Sequence, residues 1–208
     1  MIICNNLLAY LVKPSRVHLF QAPLLRFKPG GRYAIMGPSG CGKSVLTKYL
    51  AGLLPDQENQ ILFDVGNFKS PRTMLYLPQD SRDSVRPWLN TRDIFRNASL
   101  DILDILGLRE NFNKRQYPRN MSGGELRRLA LGDLLIKGER DALILDEPLN
   151  GLDENLRGRC TEAINHFMKK YPQTCLIFVT HYRQEVDELR ASEIRCISIN
   201  GTKEFVHV

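Results

Sequence analysis

Gly37-Pro38-Ser39-Gly40-Cys41-Gly42-Lys43-Ser44 has the form G-x-x-x-x-G-K-S, the pattern of a phosphate-binding (Walker A) loop. Just upstream, Arg32-Tyr33-Ala34-Ile35-Met36 reads as a buried strand. Just downstream, Lys43 to Ala51 places Val45, Leu46 and Leu50 at helical spacing. The pattern therefore lies between a strand and a helix, the context it needs. Its glycines let backbone N–H groups close around phosphate oxygens, because a Cβ would obstruct so tight a turn. The helix N-terminus adds its partial positive charge. In such a loop Lys43 reaches the β- and γ-phosphates and the Ser44 hydroxyl holds Mg²⁺. The main chain of Gly37 to Ser44, running on into Val45, is the predicted phosphate cradle. By itself the loop indicates a nucleotide without choosing among kinases, GTPases and ATPases.

Before the loop, short β-like runs are predicted at Ile2-Ile3, Leu7 to Val12, Val17 to Phe20 and Leu24 to Phe27. Pro14, Pro23 and Pro29-Gly30-Gly31 punctuate them as turns. After the first helix Leu54-Pro55-Asp56 breaks the chain, and strands follow at Ile61 to Phe63 and Met74 to Leu77. From about residue 80 to 136 strand signals give way to helical ones. Ile94, Phe95 and Ala98 share one predicted face; Ile102, Leu103, Ile105 and Leu106 share another. A longer helix opens at Met121-Ser122-Gly123-Gly124-Glu125. The β/α alternation resumes with strands at Ala142 to Leu145, Cys175 to Val179 and Ile194 to Ile199, helices at Glu154 to Tyr171 and Gln184 to Leu189, and a last run at Glu204 to Val208. The expected architecture is a single α/β domain spanning 1–208. The alternation itself points to a parallel sheet interrupted by a helical insert at 80–136; resemblance to P-loop NTPases further implies a core over 1–79 and 137–208 with a mainly parallel sheet and a small antiparallel β subdomain.

A chain of 208 residues is long enough for one domain with a substantial core. Its apolar runs, such as Cys175 to Val179, are far too short to span a bilayer, and Met1-Ile2-Ile3-Cys4 lacks the features of a signal peptide. A cytosolic chain is the expectation. The five cysteines form no C-x-x-C pair and are odd in number, which argues for buried reduced thiols. Cys41, inside the phosphate loop, is the one expected to meet thiol reagents. The net charge of +6 suits phosphate ligands, anionic membranes or nucleic acid alike. The basic stretch Arg109 to Arg119 contains no nucleic-acid-binding motif and reads as a solvated face.

The second motif of the phosphate site is Ala142-Leu143-Ile144-Leu145-Asp146-Glu147. An apolar strand ending in Asp places that carboxylate at the sheet edge beside the phosphate loop, where Asp146 would hold Mg²⁺. Glu147 is then free to polarise an attacking water. An ordinary strand ending in a solvated acidic pair looks the same locally; its position after a complete phosphate loop favours the metal site. The third motif is Ser122-Gly123-Gly124-Glu125, a helix N-cap whose orphan N–H groups and hydroxyl form a second anion site. Two phosphate-binding surfaces make sense if two copies clamp one nucleotide between them.

These motifs, in this order, resemble the nucleotide-binding subunit of an ABC ATPase, and the resemblance covers essentially the whole chain. Met121 to Glu125 is similar to the signature Leu-Ser-Gly-Gly-Gln, and Gln79 falls at the Q-loop glutamine. Residues 142–147 resemble Walker B with its catalytic glutamate. Asp153, in Leu149-Asn150-Gly151-Leu152-Asp153, resembles the D-loop aspartate, and His181, after Phe178-Val179-Thr180, the switch histidine. The resemblance implies a dimer sandwiching two ATP molecules, with Ser122, Gly123 and Gly124 of one copy at the γ-phosphate held by the other. It further implies that Gln79 senses Mg²⁺ and the attacking water, that His181 contacts the γ-phosphate, and that an upstream aromatic, Tyr10 being the nearest, stacks on adenine. Catalysis would rest on Glu147, His181, Gln79 and Lys43, and the metal on Ser44, Gln79 and Asp146.

The chain departs from the family pattern at Met121, at Glu125 in place of Gln, and at Leu131-Gly132-Asp133, where Ala-Arg-Ala is usual. Two functional classes follow from the resemblance. One is the energy-coupling subunit of a transporter, peripheral on the cytoplasmic face of a membrane, whose permease is a separate polypeptide. Arg86-Pro87-Trp88-Leu89-Asn90-Thr91 resembles the stretch after the Q-loop in importers of nitrate- and taurine-like anions, where Trp88 would anchor the partner. The other is a soluble ATPase acting on nucleic acid, the ribosome or a protein assembly.

Overall fold

The computed structural model describes residues 1–11, 17–53 and 61–208. Two long strands, β1 (Ile2–Leu11) and β2 (Val17–Phe27), are followed by β3 (Arg32–Met36) and helix α1 (Lys43–Leu50). Three shorter strands come next: β4 (Ile61–Asp64), β5 (Asn67–Lys69) and β6 (Met74–Leu77). Between β6 and β7 the regular elements are helical: α2 (Thr91–Ile94), α3 (Leu100–Ile105), α4 (Arg109–Asn113) and α5 (Gly123–Leu135), with two short 3₁₀ turns. The chain then alternates through β7 (Ala142–Asp146), α6 (Glu154–Lys170), β8 (Cys175–Val179), α7 (Arg183–Glu188), β9 (Ser192–Ile199) and β10 (Thr202–His207).

All the strands join one sheet of order β4-β1-β2-β10-β9-β3-β8-β7-β6, with β5 also on β1. The half from β9 to β6 is parallel throughout, and β4, β5 and β2 pair with β1 antiparallel. Every residue of β7 and β8 is buried, as continuous apolar runs covered on both faces must be. Leu143 and Leu145 face a core shared with α5 and α6; Ala142 and Ile144 face one shared with α1 and the antiparallel strands. The consequence for chemistry is geometric. Because β3, β6, β7 and β8 run the same way, the segments after them emerge at one sheet edge.

Three local expectations change. The runs on either side of Pro23 are one strand, not two separated by a turn. The β1–β2 register passes from Asn5↔Leu24 to Leu7↔Ala22 with no pairing at Asn6 and Pro23. Asn6 there has φ 51°, so the ladder is interrupted where proline has no N–H to give. The strand β5 is additional. Ile94, Phe95 and Ala98 do not form one helix face: α2 ends at Ile94, and its N-cap Asn90 accepts from Arg92 and Asp93 N–H. Pro14 and Leu54-Pro55-Asp56, read as breaks, lie outside the described residues.

The unusual turn of α5 has a packing reason. A Cβ on Gly132 would lie 2.8 Å from both Leu106 Cδ1 and Phe95 Cζ, so only glycine lets α5 approach these buried side chains. Buried Asp133 accepts from Arg86 at 3.2 Å and pairs with Lys137 at 3.1 Å, so its charge is compensated on two sides.

Candidate nucleotide-binding site

The loop between β3 and α1 is shaped by a close approach. Gly42, the N-cap of α1, has φ 103°, and a Cβ there would sit 2.5 Å from Phe20 Cδ1. Phe20, on β2, is itself held edge-on by Phe205 of β10 at 5.0 Å. The loop thus rests on two buried aromatic rings from the other half of the sheet. No side chain caps α1, and no acidic residue occupies its first turn. Its first N–H groups and dipole therefore meet no anion of the helix's own, as an anion site requires.

Lys43 is buried, and its Nζ donates to the carbonyls of Gly37 and Pro38, each at 3.0 Å. The Cys41 N–H closes the turn on Pro38 O at 3.3 Å. Pro38, Ser39 and Gly40 are exposed along the same loop. A residue outside every sequence motif also reaches it: Lys203 of β10 donates to Gly40 O at 3.0 Å. Cys41 itself is only 1% exposed, which corrects the expectation that it meets thiol reagents. It adjoins Cys196 of β9, whose thiol is pushed up to about 12 by burial first and by contact with Cys41 second.

At the end of β7, Asp146 is 1% exposed, and among the described residues neither carboxylate oxygen meets a partner at full hydrogen-bond geometry, with the Ser44 hydroxyl close beside it. Burial pushes its carboxyl above the ordinary carboxylate range; Ser44 beside it opposes the rise, Glu147 adds to it, and Lys48 and Lys43 oppose it. A buried carboxylate whose two oxygens lack full hydrogen-bond partners, next to a serine hydroxyl at a phosphate loop, fits a hard divalent cation. Among the described residues there is no group of three or more His, Cys, Asp or Glu able to hold a metal alone.

Glu147 follows with φ 50°, the left-handed region that a side-chain-bearing residue seldom occupies. Its carboxylate is a meeting point. Gln79 Nε2 and Asn150 Nδ2 each donate to Oε2 at 3.0 Å, and His181 Nε2 lies 3.2 Å from Oε1. Gln79 comes from the segment after β6 and His181 from the turn after β8, so three parallel strands deliver these side chains to one point. Behind His181, Thr180 Oγ1 donates to buried Glu185 at 2.5 Å and accepts from Tyr182 N–H at 3.0 Å. Asn150 and Arg127, which donates to Glu147 O at 2.6 Å, belong to this cluster and were not singled out from sequence. No spacing marks Arg127, and Asn150 sits in the Leu149–Asp153 stretch with no role of its own there, because the fold supplies the partners of both.

Ser122 caps α5 as expected, and with Glu125 it forms a full capping box. Glu125 accepts from Ser122 N–H and hydroxyl, both at 2.8 Å, and from Asn111 Nδ2 at 2.7 Å. These bonds, Asn111 foremost, hold the Glu125 carboxyl below its usual range. Gly123 is exposed and Gly124 partly buried in that first turn. Asp153 caps α6, accepting from Leu156 N–H at 2.9 Å. Tyr10 lies on β1 with its ring edge-on to His18 at 5.3 Å, away from the Glu147 cluster in the sheet order. Trp88 is 71% exposed.

A family model described as ABC transporter matches residues 21–150. The aliphatic sulfonates import ATP-binding protein SsuB of a Bacillus cereus strain is 32% identical over 216 residues, covering 98% of this chain and 82% of that protein. Among solved structures, a dimeric post-hydrolysis ATP-binding cassette bound to ADP and Pi superimposes with a TM-score of 0.72 at 20% identity, covering 94% of each chain. RNase-L Inhibitor superimposes at 0.76 with 22% identity over 99% of this chain, which spans only 39% of that protein.

Proposed function

The chain belongs to the ABC transporter family, and we propose that it hydrolyses ATP as the energy-coupling subunit of an importer for a small anion of the sulfonate class. The observation that carries the catalytic part is the gathering of Gln79, Asn150 and His181 around the Glu147 carboxylate, at 3.0–3.2 Å. In this reading the α1 N-terminus and Lys43 bind the β- and γ-phosphates, and Asp146 and Ser44 hold Mg²⁺. When bound, Mg²⁺ neutralises charge on the β- and γ-phosphate oxygens. Glu147 takes the proton of the attacking water, Gln79 orients that water, and His181 steadies charge on the γ-phosphate. Tyr10 takes the adenine.

A second copy supplies Ser122, Gly123 and Gly124 to the γ-phosphate, with Asp153 near the seam. Among the described residues no helix is long and apolar enough to cross a membrane. In this reading the passage through the bilayer belongs to a separate permease. Exposed Trp88, on a loop that Arg86 ties to Asp133, is the proposed anchor for it on the cytoplasmic face. The sulfonate class is supported by the name of the Bacillus cereus relative and by the resemblance of residues 86–91 to anion importers. A role at the ribosome has only a shared fold behind it.

The test is Glu147→Gln. It is expected to retain ATP binding, to accumulate as an ATP-bound dimer, and to lose ~10²–10⁴-fold in turnover. Turnover at the normal rate would show that Glu147 is not the base. For the partner, reconstitution with a sulfonate-type permease should raise the ATPase rate, and Trp88→Ala should abolish that rise; stimulation by ribosomes instead would favour the soluble reading.

A further inference from the structure

Helix α5 begins at the signature turn, and its first two turns carry adjacent arginines that point to opposite sides. Arg128 is buried and donates to the carbonyls of Leu106 at 2.7 Å, Gly107 at 3.1 Å and Gly124 at 3.3 Å, which fastens α5 to the end of α3. Arg127 turns the other way. Its Nη1 donates to Glu147 O at 2.6 Å and its Nη2 to Gln79 O at 3.0 Å. Two carbonyls from segments 68 residues apart are thus held in one planar fork, a task for which guanidinium geometry is suited and an ammonium is not.

The same two residues also touch through their side chains, Gln79 Nε2 to Glu147 Oε2. Main chain and side chain together close a ring in which Arg127 is the one member outside the parallel sheet edge. Glu147 occupies the left-handed region, and its carbonyl accepts both from Arg127 and from Asn150 N–H at 3.3 Å. A backbone in that region persists only where its surroundings hold it, and the direction of the carboxylate depends on that backbone.

We propose that Arg127 is a positioning residue, which holds the Glu147 peptide in its left-handed conformation and so makes the aim of the carboxylate depend on where α5 sits. This rests on the assignment of Glu147 as the base. A displacement of α5 relative to the sheet would then reach the water-activating group through one guanidinium, without passing through the nucleotide.

The experiment compares Arg127→Met and Arg127→Lys with the unaltered full chain, reading kcat and KM for ATP, nucleotide affinity and thermal stability. Arg127→Met is expected to lower kcat by ~10–100-fold while KM and ATP affinity stay within about twofold, because the base is misaimed and the phosphate site untouched. Arg127→Lys, able to satisfy one carbonyl, should recover part of the loss. In a Glu147→Gln background Arg127→Met should cost nothing further. Wild-type kcat in both variants, with Glu147→Gln still inactive, would overturn the positioning role alone. A loss shared equally by kcat and affinity, accompanied by a drop in melting temperature and no recovery with Lys, would make Arg127 a structural bolt and equally overturn it. Normal turnover by Glu147→Gln would remove the assignment beneath the proposal.

Discussion

The phosphate loop and the signature turn are both glycine-bearing starts of helices, yet they treat their orphan N–H groups in opposite ways. At α1 the cap is Gly42, which offers no side chain, and the first turn has no acid. At α5 the cap is Ser122, bonded reciprocally to Glu125, whose carboxylate sits on the helix dipole. The first helix start leaves its field to an outside anion. The second already carries an anion of its own. Under the proposed function the two surfaces would not be equivalent phosphate sites: α1 would bind strongly, and α5 would offer a weaker, closing contact.

Lys43→Ala should break the strong side outright. Removing a charged donor from a buried phosphate site is expected to weaken ATP binding by about 10–100-fold. Equilibrium titration with a fluorescent nucleotide would read this, and unchanged affinity would contradict the role given to Lys43. Gly42→Ala attacks the same helix start through shape. With φ 103° and Phe20 2.5 Å from the new Cβ, it should cost about 1–3 kcal/mol of stability by thermal or denaturant unfolding, with loss of nucleotide binding. A protein as stable as the parent would mean that the loop tolerates a side chain against Phe20.

The gentlest test concerns the other helix start. Glu125→Gln keeps a side chain able to cap Ser122 but removes the charge, so ATP-driven dimerisation should tighten by about two- to fivefold. Sedimentation of the hydrolysis-blocked protein would measure it, and weaker association would show that the charge assists closure. The pH dependence has a defined sign. The folded Glu125 carboxyl is held low, so its contribution is present above the ordinary carboxylate range and is lost as pH falls through the depressed value. The stability gap between parent and Glu125→Gln should accordingly shrink on acidification, as melting curves from neutral to acid pH would record.

Much of this site can be read along the chain. The eight residues from Gly37 to Ser44, the apolar run ending in Asp146-Glu147, and the Ser122 cap each combine residue type with close spacing, and local physics acts on that directly. The alternation of strand and helix signals indicated the α/β class for the same reason. Pro23 shows where local reading fails: proline signals a turn unless a distant strand supplies a gap in its ladder, which Asn6 of β1 does. Gly132 is similar, since a glycine in a helix means nothing until Phe95 and Leu106 are placed against it.

Residue order along the chain is enough to specify the inventory of candidate groups: a phosphate-loop pattern, an apolar strand ending in an aspartate and a glutamate, and a capped helix start, in family order. Which isolated polar residues join them is settled by the folded sheet. Arg127 and Lys203 carry no motif, Asn150 lies in the Leu149–Asp153 stretch without a role assigned to it there, and Lys203 lies 163 residues from the Gly40 carbonyl it meets. A hydrogen bond requires proximity in space, and here proximity is set by a strand order, β10-β9-β3-β8-β7-β6, that does not follow the order of the chain.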